Sequence, residues 1–129
     1  MEMATKMIEE VLVQEAMIDI DKEIKEFLMK DTRYLDEILM ELKVTMVRKH
    51  QDYGPYNIAR APGGAMNGLI VRMHDKMARL EHLTFNRKTD TPNYESIEDT
   101  LKDLANYAII GLMVQRGQWE GLNEPRVSI

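Results

Sequence analysis

The chain has 129 residues, which is one domain's worth, since domains cluster near roughly 100–150 residues. Seventeen Lys and Arg against 22 Asp and Glu leave a net charge of −5, which makes the chain a poor candidate for a sequence-independent binder of duplex nucleic acid, since such a binder needs surplus cations to neutralise phosphates. Cysteine is absent, so disulfides, thiol catalysis and Cys-ligated zinc are ruled out.

No apolar run reaches the roughly 18 residues of a membrane span. The first residues, MEMATKMIEE, carry acids where a signal peptide carries cations. The expectation is a cytoplasmic protein with no membrane partner. Gly (7) and Pro (4) are few, and Met (11) outnumbers Phe, Trp and Tyr together. Unbranched Met, Leu, Lys and Glu keep their rotamer freedom in helices. The fold class expected is all-α, a bundle of four to five helices completed by oligomerisation.

Residues 3–29 read as helix, either continuous or broken near Asp19–Asp21 with Asp21 capping a fresh helix. Met17, Ile20, Ile24, Phe27 and Leu28 fall on one face. Asp31 or Thr32 is the next N-cap. Residues 33–50 form a second helix with Leu35, Ile38, Leu39, Leu42 and Met46 as its apolar stripe. Residues 52–65, DYGPYNIARAPGGA, are the longest irregular stretch, and such a loop in a helical domain marks function.

Residues 66–84 form a third helix with Leu69, Met73, Met77, Leu80 and Leu83 on its core face. A polar loop spans Asn86 to Asn93. Residues 94–116 form the last helix. Ser96-Ile97-Glu98-Asp99 has the capping-box form, and Ile97, Leu101, Leu104, Ala108 and Leu112 mark the core face. From Leu104 to Val114 nearly every residue is apolar, too greasy for a lone four-helix domain, so a homodimer or homotetramer is expected. Residues 117–129 lack periodicity and read as a surface extension, with Trp119 a packing anchor.

Three groups of residues carry candidate chemistry. Asp99, Asp103 and Asn106 stack at i, i+4 and i+7 on the last helix, with Glu95 one turn before Asp99 and Glu98 one turn before Lys102. Two carboxylates so placed repel unless a cation sits between them. Oxygen ligands without Cys or clustered His suit Mg²⁺ or Mn²⁺. The alternative reading makes Asp99 the capping acid and Asp103 the partner of a cation on a neighbouring helix. Asn106, alone among apolar residues, either ties helices together or faces a ligand. Arg72, Asp75, Lys76 and Arg79 form a second stripe, read either as an ion-pair ladder on Asp75 or as cations for phosphate oxygens. In the loop, Tyr53 and Tyr56 can stack on a planar base and Asn57 can read its edge.

Lys49-His50-Gln51-Asp52-Tyr53-Gly54, then Arg72-Met73-His74-Asp75-Lys76-Met77-Ala78-Arg79-Leu80, then Glu95 through Tyr107 resemble, as an ordered triple, the nucleotide-modification-associated domain. That family is common in bacteriophages and often labelled MazG-like. The resemblance covers roughly residues 33–118, which gives an N-terminal helical segment (residues 1–30), a MazG-like domain (31–118) and a tail (119–129).

The resemblance implies an oligomeric helical bundle of the kind found in MazG and the dimeric dUTPases. It also implies Mg²⁺- or Mn²⁺-dependent hydrolysis of a nucleoside triphosphate to monophosphate and pyrophosphate, in the cytoplasm of an infected host. By it, Asp75, Asp99 and Asp103 would be catalytic and Asp75, Glu98, Asp99 and Asp103 would hold the metal. Lys49, Arg72, Lys76 and Arg79 would contact phosphates, and Asp52, Tyr53, Asn57 and Asn106 would position the sugar or base. The alternatives are a nucleotide-binding or sequestering protein without catalysis, and a structural helical oligomer.

Overall fold

A computed structural model describes residues 2–17, 21–28, 30–88 and 91–123. The described residues form six α-helices and no strand: α1 (Glu2–Met17), α2 (Lys22–Leu28), α3 (Arg33–Tyr53), α4 (Tyr56–Ala59), α5 (Ala65–Glu81) and α6 (Ile97–Gln115). The protein is all-α, as its composition indicates. No helix among the described residues is long and apolar enough to cross a membrane. The chain divides into two compact units, Met1–Leu39 and Met40–Ile129, so the division falls inside α3, whereas the sequence places a boundary after residue 30.

In the first unit the helix breaks where Asp21 allows it. The Asp21 carboxylate accepts the Ile24 amide at 3.1 Å, which satisfies one of the orphan donors of a helix start and begins α2 as a fresh helix. Ile20 and the Met17 side chain, both assigned to the apolar face, lie outside the described residues. Both candidate caps then share the start of α3. Asp31 accepts the Arg33 amide at 3.0 Å, and the Thr32 hydroxyl donates to Asp36 at 2.9 Å.

In the second unit α3 ends at Gly54, whose φ of 68° suits the left-handed position after a helix. Its amide donates to the His50 carbonyl at 2.8 Å. The irregular stretch that follows contains the single turn of α4, then reverses at Gly63 and Gly64 into α5. A close approach fixes this corner. A Cβ on Gly68 would stand 2.5 Å from the Ala61 Cβ.

The core is built on Ile58, Leu69 and Ile110, with Met46, Met73, Tyr107, Met113 and Trp119 packed around them. Leu69 is wholly buried, and that burial contributes about 1.5–3 kcal/mol. Thus α5 turns its expected face inward through Leu69 and Met73, although Met77 of the same stripe is exposed.

α6 turns the other way. Its buried residues are Thr100, Asp103, Asn106 and Ile110, a mainly polar set. The expected core stripe lies outside, with Ile97 38 %, Leu101 50 % and Leu112 51 % exposed. The tail is also not a free extension as far as Asn123. Trp119 packs on the core, and its indole N–H donates to the Pro55 carbonyl at 2.9 Å.

Gly68→Ala tests the α5 corner. Helix propensity alone favours the change by roughly 0.5–1 kcal/mol, whereas the clash with Ala61 costs about 1–3 kcal/mol. Urea unfolding is expected to show a net loss of stability.

Candidate functional site

The inward polar face of α6 organises the second unit. Asp103, with 9 % of its side chain exposed, pairs with Lys49 of α3 at 2.8 Å and with Lys76 of α5 at 3.0 Å. Each carboxylate oxygen takes one ammonium. Lys76 also donates to Glu95, ahead of α6, at 2.7 Å. Burial pushes the Asp103 carboxyl up, but the hydrogen bonds and charges of Lys49 and Lys76 outweigh it and hold the group below its ordinary value. Lys76 is affected in mirror image: burial pulls it down, and Glu95 and Asp103 together hold it above the usual lysine value.

Neighbouring bonds brace this cluster. Arg79 donates through Nε to the Thr100 hydroxyl at 3.3 Å and through Nη2 to the Glu95 carbonyl. Thr100 in turn donates to the Ser96 carbonyl at 3.0 Å. Asn106, one turn beyond Asp103, donates to the Leu42 carbonyl of α3 at 3.2 Å. It therefore ties helices together, one of the two roles open to it from the sequence.

Beside the cluster lies a cleft of about 380 Å³. Lys49, Arg72 and Lys76 line it together with Glu95 and Asp103. An ammonium carries three donors and a guanidinium five. Among the described residues Lys49 uses one, on Asp103, and Lys76 uses two, on Glu95 and Asp103. Arg72 spends one on the Asn57 carbonyl at 3.3 Å. Cationic donors are thus left over at the cleft, and they suit an anion.

The rest of the wall combines aromatic, amide and aliphatic residues. Tyr53, Tyr107, His50 and Trp119 line it. The His50 and Trp119 rings meet edge to face at 5.3 Å, within the usual range for such pairs. The side-chain oxygen of Asn57, which also lines the cleft, is buried with no hydrogen-bond partner. An orphaned buried acceptor costs about 1–3 kcal/mol.

The structure gathers half of the residues singled out from the sequence. Lys49, Tyr53, Asn57, Arg72, Lys76 and Asp103 meet at the cleft, although they come from three separate motifs. Asp52, Asp75, Glu98 and Asp99 are exposed and do not line it. Asp99 is engaged in the capping box: its carboxylate accepts the Ser96 amide at 3.1 Å and the Ser96 hydroxyl at 2.8 Å. These bonds, the hydroxyl's first, hold the Asp99 carboxyl below its ordinary value. Glu98 lies 3.8 Å from Lys102, whose closer partner is Glu41 at 3.0 Å. The ladder on Asp75 does not form, because Arg72 and Arg79 reach Asn57 and Thr100 instead.

Among the described residues, Asp75, Glu98, Asp99 and Asp103 do not converge on a shared cation position. Glu95, His50, Tyr107 and Trp119 line the cleft but were not among the site residues that sequence reasoning singled out. Glu95 had a signal in its place one turn before Asp99. Trp119 had only the flanking Gly117 and Gly121, both at positive φ, which mark a turned tail rather than a trailing one.

No family model, curated protein or solved structure matches the chain.

The Asp103 cluster predicts a pH dependence. A carboxyl held below its unfolded value of 3.8 contributes stability that is present above that pH and lost as pH falls through the folded value. Stability by urea unfolding is expected to decline on the acid side from about pH 5 downward. Asp103→Asn should make that acid limb shallower. At neutral pH it should cost about 1–3 kcal/mol, less than a wholly buried pair, because Lys49 remains half exposed.

Proposed function

We propose that the second unit binds a nucleoside phosphate in the cleft, with phosphate oxygens on Lys49, Lys76 and Arg72 and the base beside Tyr53, His50 and Trp119. The observation that carries this reading is the convergence of three cations with unspent donors on one cleft that also has an aromatic wall. Arg and Lys are the side chains that recognise phosphate, and aromatic faces stack on any base. The chain's net charge of −5 does not oppose this, since a local cluster sets the field that a small ligand meets.

The sequence resemblance supports a further step, Mg²⁺-dependent release of pyrophosphate. The carboxylates that it names do not fit a common metal set here. Three of the four lie outside the cleft, and both oxygens of the fourth, Asp103, are bonded to ammonium groups. Binding without turnover is therefore the reading that the geometry favours.

The chain's one tryptophan lines the cleft, which makes it a built-in reporter. Titrating a panel of ribo- and deoxynucleoside triphosphates in EDTA is expected to give a saturable change in Trp119 fluorescence for at least one of them. Arg72→Ala and Lys76→Ala should each weaken that binding at least tenfold, about 1.4 kcal/mol. No response from any nucleotide, or an affinity indifferent to both substitutions, would sink the reading. Pyrophosphate released on adding Mg²⁺ would restore the hydrolase in its place.

A further inference from the structure

The cleft has two unlike ends, and the helices fix their order. Tyr53, His50 and Trp119 stand at the end where the chain turns through Pro55, since the Trp119 indole is bonded to the Pro55 carbonyl. Arg72 follows, held on the Asn57 carbonyl at 3.3 Å. Lys76 comes one turn later on α5, about 6 Å further along the axis at 1.5 Å per residue. It bonds Asp103 at 3.0 Å and Glu95 at 2.7 Å. Glu95 lies beyond, ahead of α6, and closes the row.

Free donors are not spread evenly along this row. Most of them belong to Arg72 and Lys49, whereas Lys76 has already turned to Glu95 and Asp103. No cation beyond Lys76 lines the cleft among the described residues. Arg79, the next one along α5, is directed to the Thr100 hydroxyl and the Glu95 carbonyl instead.

We infer that Glu95 is a specificity-determining residue that limits the cleft to ligands with a single phosphate group, a nucleoside monophosphate rather than a di- or triphosphate. This rests on the binding reading proposed above, with the base at the aromatic end. The phosphate next to the nucleoside then lies beside Arg72, whose fork can hold two oxygens, with Lys49 across from it. A second phosphate continues along α5 and meets the Glu95 carboxylate, which already holds the place on Lys76 that a distal phosphate needs.

The charges agree. Lys49, Arg72 and Lys76 face Glu95 and Asp103 across the cleft, so the cations exceed the acids by a single charge. A phosphomonoester brings about −1.5 to −2 near pH 7, close to what that surplus and the free donors can meet. Each further phosphate adds negative charge with no cation left to pair it, and taking an unpaired charge out of water is costly. The cleft's volume of about 380 Å³ also sits near the lower end of ligand pockets, roughly 300–1,000 Å³. Glu95 is anchored apart from its carboxylate, because its carbonyl accepts Arg79. Changing the side chain therefore leaves the backbone tie in place.

Isothermal titration calorimetry of the full chain in EDTA tests this with the mono-, di- and triphosphates of adenosine, guanosine, cytidine, uridine and thymidine. Within the series that binds tightest, the monophosphate is expected to bind roughly fivefold or more tighter than the triphosphate. Glu95→Gln should tighten the triphosphate more than the monophosphate, so that the preference disappears. Glu95→Asp, which keeps the charge, should retain it. A Glu95 that only braced Lys76 would, when replaced, change all three phosphates alike, and that result would overturn the inference. So would a wild-type chain that binds triphosphate as tightly as monophosphate, although the binding reading would then stand. No binding by any of these compounds would remove the binding reading itself, and this inference with it.

Discussion

The second unit depends on one carboxylate. Asp103 brings Lys49 of α3 and Lys76 of α5 onto α6, so a single buried group ties the three long helices together. Such a cluster is a weak source of net stability, because removing charges from water costs several kcal/mol per ion before their attraction repays it. Its larger effect is on arrangement. Rotating α6 about its axis would leave Asp103 buried without partners or the two lysines without their acid. Asn106 on Leu42 and Arg79 on Thr100 add directional bonds that the same rotation would break. Polar geometry, more than apolar area, sets the facing of this helix.

Two surfaces follow from that facing. The inner one is polar and opens on the cleft, where the lysines that Asp103 holds still have donors to offer. The outer one carries the leucines and isoleucine that a single chain leaves exposed. A helix with such composition is apolar nearly all round, and an all-round apolar helix is at home only when enclosed. The second unit encloses the polar side of it and leaves Ile97, Leu101 and Leu112 exposed.

What was legible in the sequence divides along the same line. Local signals read through: the Ser96–Asp99 capping box forms, Asp21 caps α2, and Gly54 closes α3. Each of these needs only neighbours within one turn. The cleft was half legible, because Lys49, Arg72, Lys76 and Asp103 stand out as charges within helical patterns. Their roles were not. Nothing in the spacing of Asp99 and Asp103 says that one turns to its own N-cap and the other to two lysines far off in the chain. The facing of α6 was misread for a physical reason: with apolar residues on every side, periodicity loses its contrast, and the buried polar residues rather than the leucines mark the core side. Trp119 lies beyond the last periodic residue, and its place depends on a long-range bond to Pro55.

The same cluster sets the terms on which an anion enters. Lys76 divides its charge between Glu95 and Asp103, and Lys49 leans on Asp103 with half of its side chain in water. A phosphate approaching the cleft therefore meets three cations and two carboxylates, a modest positive surplus rather than an intense one. It competes with Asp103 and Glu95 for the ammonium groups, and part of its attraction is spent weakening bonds already made. What remains is directional: the unspent N–H donors of Lys49, Lys76 and Arg72, whose planar fork can hold two oxygens at once. Discrimination among bases is weak on this account, because the ring faces of the wall accept any base. Held in this way, the lysines arrive pre-positioned, and the order that Asp103 imposes on them need not be imposed again by the ligand.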